Sequence, residues 1–137
     1  MSVARIGDVE FGEELPGFAP DTSLENVRRF VEAAGMRAPR FTDHEGARRE
    51  GLPGAMVPGV MSQAVLVAML HRWAPDVEVV KIDTVFRAVV LADAPHRVSG
   101  VVTDLDEEAR IAEIDLTLTN EAGETRVLGT ATVRFAA

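Results

Sequence analysis

The residues best placed for chemistry stand at the start of an uncharged stretch of the chain. Pro58 precedes Gly59, and no charged side chain occurs from Gly59 to Leu70. The start of a helix exposes unpaired backbone N–H groups and the positive end of the helix dipole, and a glycine there lets a ligand approach the backbone closely. Such a site can polarise a carbonyl group and stabilise the negative charge that develops on its oxygen during addition or elimination. The same residues also fit a structural role, in which Pro58 starts the helix and Gly59 allows close packing.

Few other side chains have the type or spacing of a catalytic centre. Ser62 and Gln63, the polar residues of the uncharged stretch, could bind a carbonyl group or position a water molecule. Asp43 could orient His44 as a base, with Glu45 as a second possible partner. The alternative is that Asp43 caps a short helix over residues 44–50 and that His44 is exposed in its first turn. The chain has no cysteine, and its three histidines share no metal-ligand spacing, so we expect no metal site and no cofactor.

The elements that must position these residues follow from periodicity and capping signals. Val9 to Leu15 is typical of a short first strand. Thr22 and Glu25 have the spacing of a capping box, which predicts a helix that ends at Gly35. Because the stretch after Pro58 is apolar nearly all round, it predicts a helix wrapped by other structure.

The second half of the chain alternates apolar and polar residues, which predicts an antiparallel meander of strands. Residues 71–73 mark the predicted exit of the buried helix to the surface, and Pro75 ends it. The four predicted strands cover residues 80–90, 97–104, 112–119 and 127–135. A buried helix followed by such a meander indicates an α+β fold with the sheet curled around a long central helix, the hotdog arrangement. We therefore expect residues 1–137 to form one hotdog domain.

Composition excludes several classes of function. The net charge is −8, with 22 acidic and 14 basic residues, and an acidic chain without a basic stripe does not suit nucleic acid. The apolar stretch from Leu52 to Leu70 is interrupted by prolines and glycines, so its helical part is too short to span a bilayer. The N-terminal residues have no signal-peptide pattern. We expect a cytoplasmic protein that binds neither nucleic acid nor membrane.

A series of short motifs resembles the MaoC-like (R)-specific enoyl-CoA hydratases and dehydratases, over nearly the whole chain. The motifs, in order, are Phe30-Val31-Glu32-Ala33-Ala34-Gly35, Phe41-Thr42-Asp43, Ala47, Gly51-Leu52-Pro53, Pro58-Gly59-Val60-Met61, Ile82 to Val90, and Gly129-Thr130-Ala131. The resemblance implies a hotdog dimer that acts on a thioester of coenzyme A or of an acyl-carrier protein. It also implies reversible hydration of an enoyl group by an aspartate and histidine that activate water.

The catalytic pair of that family does not carry over to this chain. When Asp43 and Ala47 are placed in register with the family motif, Met36 takes the position of the catalytic aspartate and Phe41 that of the histidine. Neither side chain can transfer a proton. A carboxylate on the buried helix, as in other hotdog dehydratases and many hotdog thioesterases, is also missing between Gly59 and Leu70.

Three functions remain open from the sequence. The chain could act on an enoyl or 3-hydroxyacyl thioester with a non-standard site, as a hydratase, dehydratase, thioesterase or nucleophile-adding enzyme. It could be a non-catalytic subunit that pairs with an active MaoC-like chain, or a module that only binds an acyl chain. We expect a homodimer or such a heterodimer.

The resemblance and the helix start together define a predicted substrate-binding set. Arg40 is included because the phosphates of coenzyme A or an acidic carrier protein would attract it, although an arginine-rich chain favours a solvated surface position instead. The other members would line an apolar pocket or the core around the helix start. The set is Met36, Arg40, Phe41, Met56, Pro58, Gly59, Val60, Met61 and Ser62.

Overall fold

The computed structural model describes residues 2–137, which form one short 3-10 helix, four α-helices and four strands. The 3-10 helix covers Ile6–Asp8. The α-helices are α1 (Leu24–Ala34), α2 (Pro39–Thr42), α3 (His44–Arg49) and α4 (Gly59–Trp73), and the strands are β1 (Glu78–Phe86), β2 (His96–Asp106), β3 (Ile111–Asn120) and β4 (Thr125–Arg134).

The strands form one antiparallel sheet in the order β1-β4-β3-β2, and α4 packs against one of its faces. Alternate residues of β3 and β4 are buried, because side chains in a strand point to opposite faces. They meet the apolar side of α4 in a single core. The predicted α+β fold with a central helix is thereby confirmed.

The central helix is longer than its uncharged stretch and continues to Trp73. Trp73 was expected to mark the exit to the surface, but its side chain is only 1% exposed. Its ring packs edge-on against Phe135, with centroids 5.7 Å apart, and its indole N–H donates to Glu13 Oε2 at 2.9 Å. The prediction was wrong because an indole can be buried when its N–H finds an acceptor.

The segment from Val9 to Leu15, predicted as a strand, is not one. It follows the outer edge of β2 through isolated contacts, in which Gly12 N–H donates to the carbonyl of Val102 and Leu15 N–H to that of Gly100, both at 2.9 Å. Gly12 has a φ of +83°, which interrupts the extended backbone between these contacts.

Helix α1 begins one residue later than the capping box predicted. Ser23 is the N-cap, and its side chain accepts a hydrogen bond from the N–H of Asn26 at 3.2 Å. Thr22 is instead buried, and its hydroxyl donates to the carbonyl of Ala94 at 2.7 Å. The predicted end is confirmed, since Gly35 adopts the left-handed conformation with a φ of 70°.

Strand β1 lies at an edge of the sheet and ends at Phe86, earlier than predicted. A register shift between Val79 and Lys81 reverses the expected alternation, so that Val80 is 43% exposed. Phe86 and Val85 are also more than half exposed. The chain then leaves the sheet, and residues 90–92 run beside the loop that enters α4, where Val57 N–H donates to the carbonyl of Val90 at 2.7 Å.

Within residues 2–137, no helix has both the length and the apolar character needed to cross a bilayer. The same residues contain no group of three acidic or histidine side chains placed to hold a metal ion.

The close approach of β1 and β4 generates a stability prediction at Gly129. A Cβ added there would overlap the carbonyl oxygen of Asp83, so Gly129→Ala must push the two strands apart. We expect the free energy of unfolding to fall by about 1–3 kcal/mol in urea denaturation. Gly7→Ala is the control, because a Cβ at Gly7 meets nothing within 4 Å. Equal midpoints for the two variants would contradict the prediction.

Candidate functional site

Helix α4 begins without a side-chain cap. Pro58 occupies the N-cap position with an extended backbone and makes no capping hydrogen bond. The first helical N–H with a partner is that of Ser62, which donates to the carbonyl of Pro58 at 3.0 Å. Throughout the described chain, no acceptor is found for the N–H groups of residues 59–61. The positive end of the helix dipole is therefore available to an external acceptor.

A cavity of about 220 Å³ opens beside this helix start. Its walls are mainly apolar, and the ring of Phe86 lies directly over Gly59. A Cβ on Gly59 would come within 3.1–3.3 Å of three atoms of that ring, so a larger residue at this position would displace the ring by a few tenths of an ångström. The lining residues are Met56, Val57, Gly59, Ser62, Phe86, Ala88 and Val90.

Ser62 supplies the one hydroxyl of this lining. The residue is 1% exposed, and its Oγ has no hydrogen-bond partner among residues 2–137. A buried polar atom without a partner costs free energy and in native proteins usually has a water or ligand beside it. Gln63 differs, because its amide donates to Thr84 Oγ1 at 3.1 Å and it does not line the cavity.

The structure brings together only part of the predicted substrate-binding set. Met56, Gly59 and Ser62 share the cavity, with Pro58 at its edge as the N-cap. Met61 lies in the core instead, and Val60 is 60% exposed outside the cavity.

The three members from the segment around α2 lie elsewhere. Met36 and Phe41 are half-buried and pack against the core without lining the cavity. Arg40 forms an ion pair with Glu50 at 2.8 Å.

Four residues that line the cavity were not predicted as site residues, because they come from segments that are far apart in sequence. Val57 was read as part of the loop before the helix, while Phe86, Ala88 and Val90 were assigned to a strand face. They reach the site because residues 90–92 pair with residues 55–57, and no local pattern predicts a pairing between segments so far apart in sequence.

Asp43 caps α3 as predicted, and its carboxylate accepts from the N–H of Gly46 at 3.0 Å. His44 lies in the first turn of α3, as the structural alternative predicted, but its environment fits neither alternative. The ring is half-buried, not exposed, and its partner is Asp93, not Asp43 or Glu45, with 2.7 Å between Nε2 and Oδ2.

Both ring nitrogens of His44 are engaged. Nδ1 accepts a hydrogen bond from the N–H of Ala55 at 3.0 Å, so the proton of the neutral ring lies on Nε2 and is donated to Asp93. No lone pair is left to remove a proton from a substrate in this geometry. A Cβ on Gly54 would come within 2.9 Å of Nδ1, so the glycine allows the ring to reach the loop.

Asp93 connects this histidine to α1. Its Oδ1 accepts from the N–H of Leu24 at 2.8 Å, and its own N–H donates to the carbonyl of Thr22 at 2.9 Å. The hydrogen bond from His44, followed by that from Leu24, lowers the pKa of Asp93 below its usual value. The pair thus joins α1, α3 and the loop that enters α4.

Comparison with known proteins shows the fold of this chain in solved structures of hydratases and dehydratases. An (R)-hydratase from A. caviae involved in PHA biosynthesis matches with a TM-score of 0.88 and 18% identity, over 94% of this chain and 98% of that one. A MaoC-like dehydratase matches with a TM-score of 0.88 and 24% identity, over 97% of this chain and 42% of that one. A chain of the ChsH1-ChsH2 complex from Mycobacterium tuberculosis matches with a TM-score of 0.85 and 16% identity, over 93% and 99%. No family model and no curated protein sequence matches.

The engaged ring of His44 predicts a structural role. His44→Ala removes two hydrogen bonds and leaves the Ala55 N–H and Asp93 Oδ2 without their partner, so we expect a loss of about 2–3 kcal/mol of unfolding free energy. The measurement is urea denaturation at neutral pH. His71→Ala is the control, because His71 is exposed at the end of α4. A loss no larger than that of the control would contradict the structural role.

Proposed function

We propose that this chain binds an acyl thioester of coenzyme A or an acyl-carrier protein and is a MaoC-like hydratase or dehydratase homologue with a non-standard active site. The uncapped start of α4, which meets a buried and unpaired Ser62 hydroxyl in one apolar cavity, is the observation that carries the proposal. The fold shared with (R)-hydratases and MaoC-like dehydratases supports it.

The cavity suits a thioester carbonyl next to an apolar chain. The N–H groups at the start of α4 and the Ser62 hydroxyl are donors that can converge on one oxygen, and the helix dipole stabilises negative charge on it. The apolar walls, including Met56 and Val90, favour the carbon chain of the acyl group by excluding water.

The same cavity lacks a group for proton transfer. None of its lining residues carries a carboxylate or an imidazole, and His44 has no free nitrogen. This observation favours a second candidate function, in which the chain supplies the acyl pocket while a MaoC-like partner subunit supplies the acid and base. One chain of the solved ChsH1-ChsH2 complex has this fold and is therefore a precedent for a chain of this fold that associates with a different chain.

The thioester proposal is tested with crotonyl and longer enoyl thioesters of coenzyme A. Binding is measured by calorimetry, and turnover by loss of the absorbance of the conjugated double bond. We expect Ser62→Ala to weaken binding or turnover about fivefold to tenfold, as the loss of one hydrogen bond to the carbonyl requires.

Gln63→Ala is the matched control, because Gln63 neighbours Ser62 on α4 but bonds outside the cavity. Binding without turnover would support the non-catalytic subunit. Neither binding nor turnover with any thioester would overturn both candidates.

We propose that a partner chain associates with this one along the free edge of β1. This strand pairs with β4 on one side only, and an unpaired edge presents free backbone N–H and carbonyl groups to another strand. Among residues 2–137, Val80, Val85 and Phe86 on β1, and Val60 at the start of α4, are four of the five exposed large apolar residues. A second copy of this chain or a MaoC-like subunit would cover them, and the partner would lie close to the cavity because Phe86 belongs to both.

Val85→Lys tests the pairing surface. A charge at the centre of an apolar interface is costly to bury, so we expect the apparent mass in sedimentation to fall toward that of one chain or of an unpaired subunit. Phe11→Lys is the control, since Phe11 is 74% exposed and lies outside β1. Unchanged association of the Val85 variant would argue against β1 as the contact.

A further inference from the structure

A second pocket, of about 390 Å³, lies beside the beginning of β2 and the turn between β3 and β4. Val89 and Leu91 line it, whereas Ala88 and Val90 line the cavity at α4. The two pockets have no lining residue in common, so this one is a separate site.

His96 presents a free nitrogen at this pocket. The residue is 4% exposed, and its Nδ1 lies 2.8 Å from the carbonyl oxygen of Ala94. A carbonyl oxygen only accepts, so Nδ1 carries the proton and Nε2 keeps a lone pair. Across residues 2–137, no hydrogen-bond partner is found for Nε2.

The imidazole of His96 is held neutral. Burial is the main cause that lowers its pKa, the nearby charge of Arg126 lowers it further, and the bond to Ala94 only partly opposes them. A neutral ring with its proton fixed on Nδ1 can accept a hydrogen bond at Nε2 but cannot donate one there.

Arg126 brings an unpaired cation to the same pocket. Its Nε is fully buried and has no hydrogen-bond partner in the described part of the chain. Glu121 also lines the pocket, but no carboxylate of residues 2–137 forms an ion pair with the Arg126 guanidinium within 4.0 Å. The neighbouring Asn120 does not fill this role, because its side chain bonds Glu124. The guanidinium therefore has no anionic partner among the described residues, and an anion from outside the chain would supply one.

We propose that this pocket binds a small hydroxycarboxylic acid. The carboxylate accepts from the terminal N–H groups of the Arg126 guanidinium, the hydroxyl group donates to His96 Nε2, and the carbon chain packs on Val89, Leu91 and Ala122. A carboxylate without a hydroxyl satisfies Arg126 but leaves the lone pair of His96 facing an anion. The pairing of one cationic donor with one neutral acceptor distinguishes a hydroxy acid from a simple acid.

The test compares lactate with propionate, which lacks only the hydroxyl group. The full chain is labelled with ¹⁵N and titrated with each acid, and with inorganic phosphate, at constant ionic strength. We expect saturable shifts of the amides of Ala94, His96 and residues 120–126. Lactate should bind about fivefold more tightly than propionate, the effect of one hydrogen bond.

Two variants separate the roles of the side chains. His96→Asn keeps a donor for the Ala94 carbonyl and removes Nε2, so it should make lactate and propionate bind equally. Arg126→Met should weaken both acids about tenfold, since it removes a charge-assisted hydrogen bond. Arg49→Met is the control, because Arg49 is exposed on α3 and far from the pocket lining.

Three results obtained with the unmodified chain would each overturn the proposal. No saturable shift at these amides means that water alone satisfies the pocket. Equal affinity for lactate and propionate in the unmodified chain removes the role of His96, and phosphate binding more tightly than either acid points to a phosphate site instead. None of these outcomes bears on the thioester assay, because the two pockets are separate.

Discussion

The burial of α4 is the constraint on which the rest of this structure depends. A helix without a charged residue over its first three turns cannot face water on any side at low cost. The sheet covers one face and the loops around residues 55–57 and 88–90 lie beside the helix start, whereas Val60, Ala64 and Ala68 on a further face are exposed in the single chain. Because the helix begins inside this cover, its first N–H groups lie in an apolar setting where hydrogen bonds and charge interactions are stronger than in water. The burial of α4 therefore accounts for both the packing of the core and the candidate binding site.

The hydrogen-bonded pair of His44 and Asp93 holds the segments around the start of α4 in place. His44 and Asp93 are far apart in sequence, and together they tie the starts of α1 and α3 to the loop that enters α4. His44, the candidate catalytic base of the sequence analysis, thus holds the walls of the site in place. The two pockets on either side of residues 88–91 depend on the same segment, so its placement matters to both.

The sequence was sufficient for the features that depend on local pattern. The uncharged stretch, the alternation of β3 and β4, the left-handed Gly35 and the Asp43 cap all follow from composition within a few residues. The errors arose where a distant contact decides the outcome. Thr22 gives up its capping role because Ala94 offers a buried acceptor, and Trp73 stays inside because Glu13 receives its N–H. For the site, Gly59 and Ser62 could be selected from the helix start, but Phe86, Ala88 and Val90 depend on a pairing that no short window contains.

The strand order has a consequence for how the chain reaches this fold during synthesis. Strand β1 follows α4 directly but pairs only with β4, the last strand, and Phe135 beyond β4 packs on Trp73 at the end of α4. The sheet cannot close over the helix until β4 and Phe135 have left the ribosome. During that interval the apolar helix and the unpaired β1 remain exposed. Chaperone binding and association between nascent chains then compete with folding.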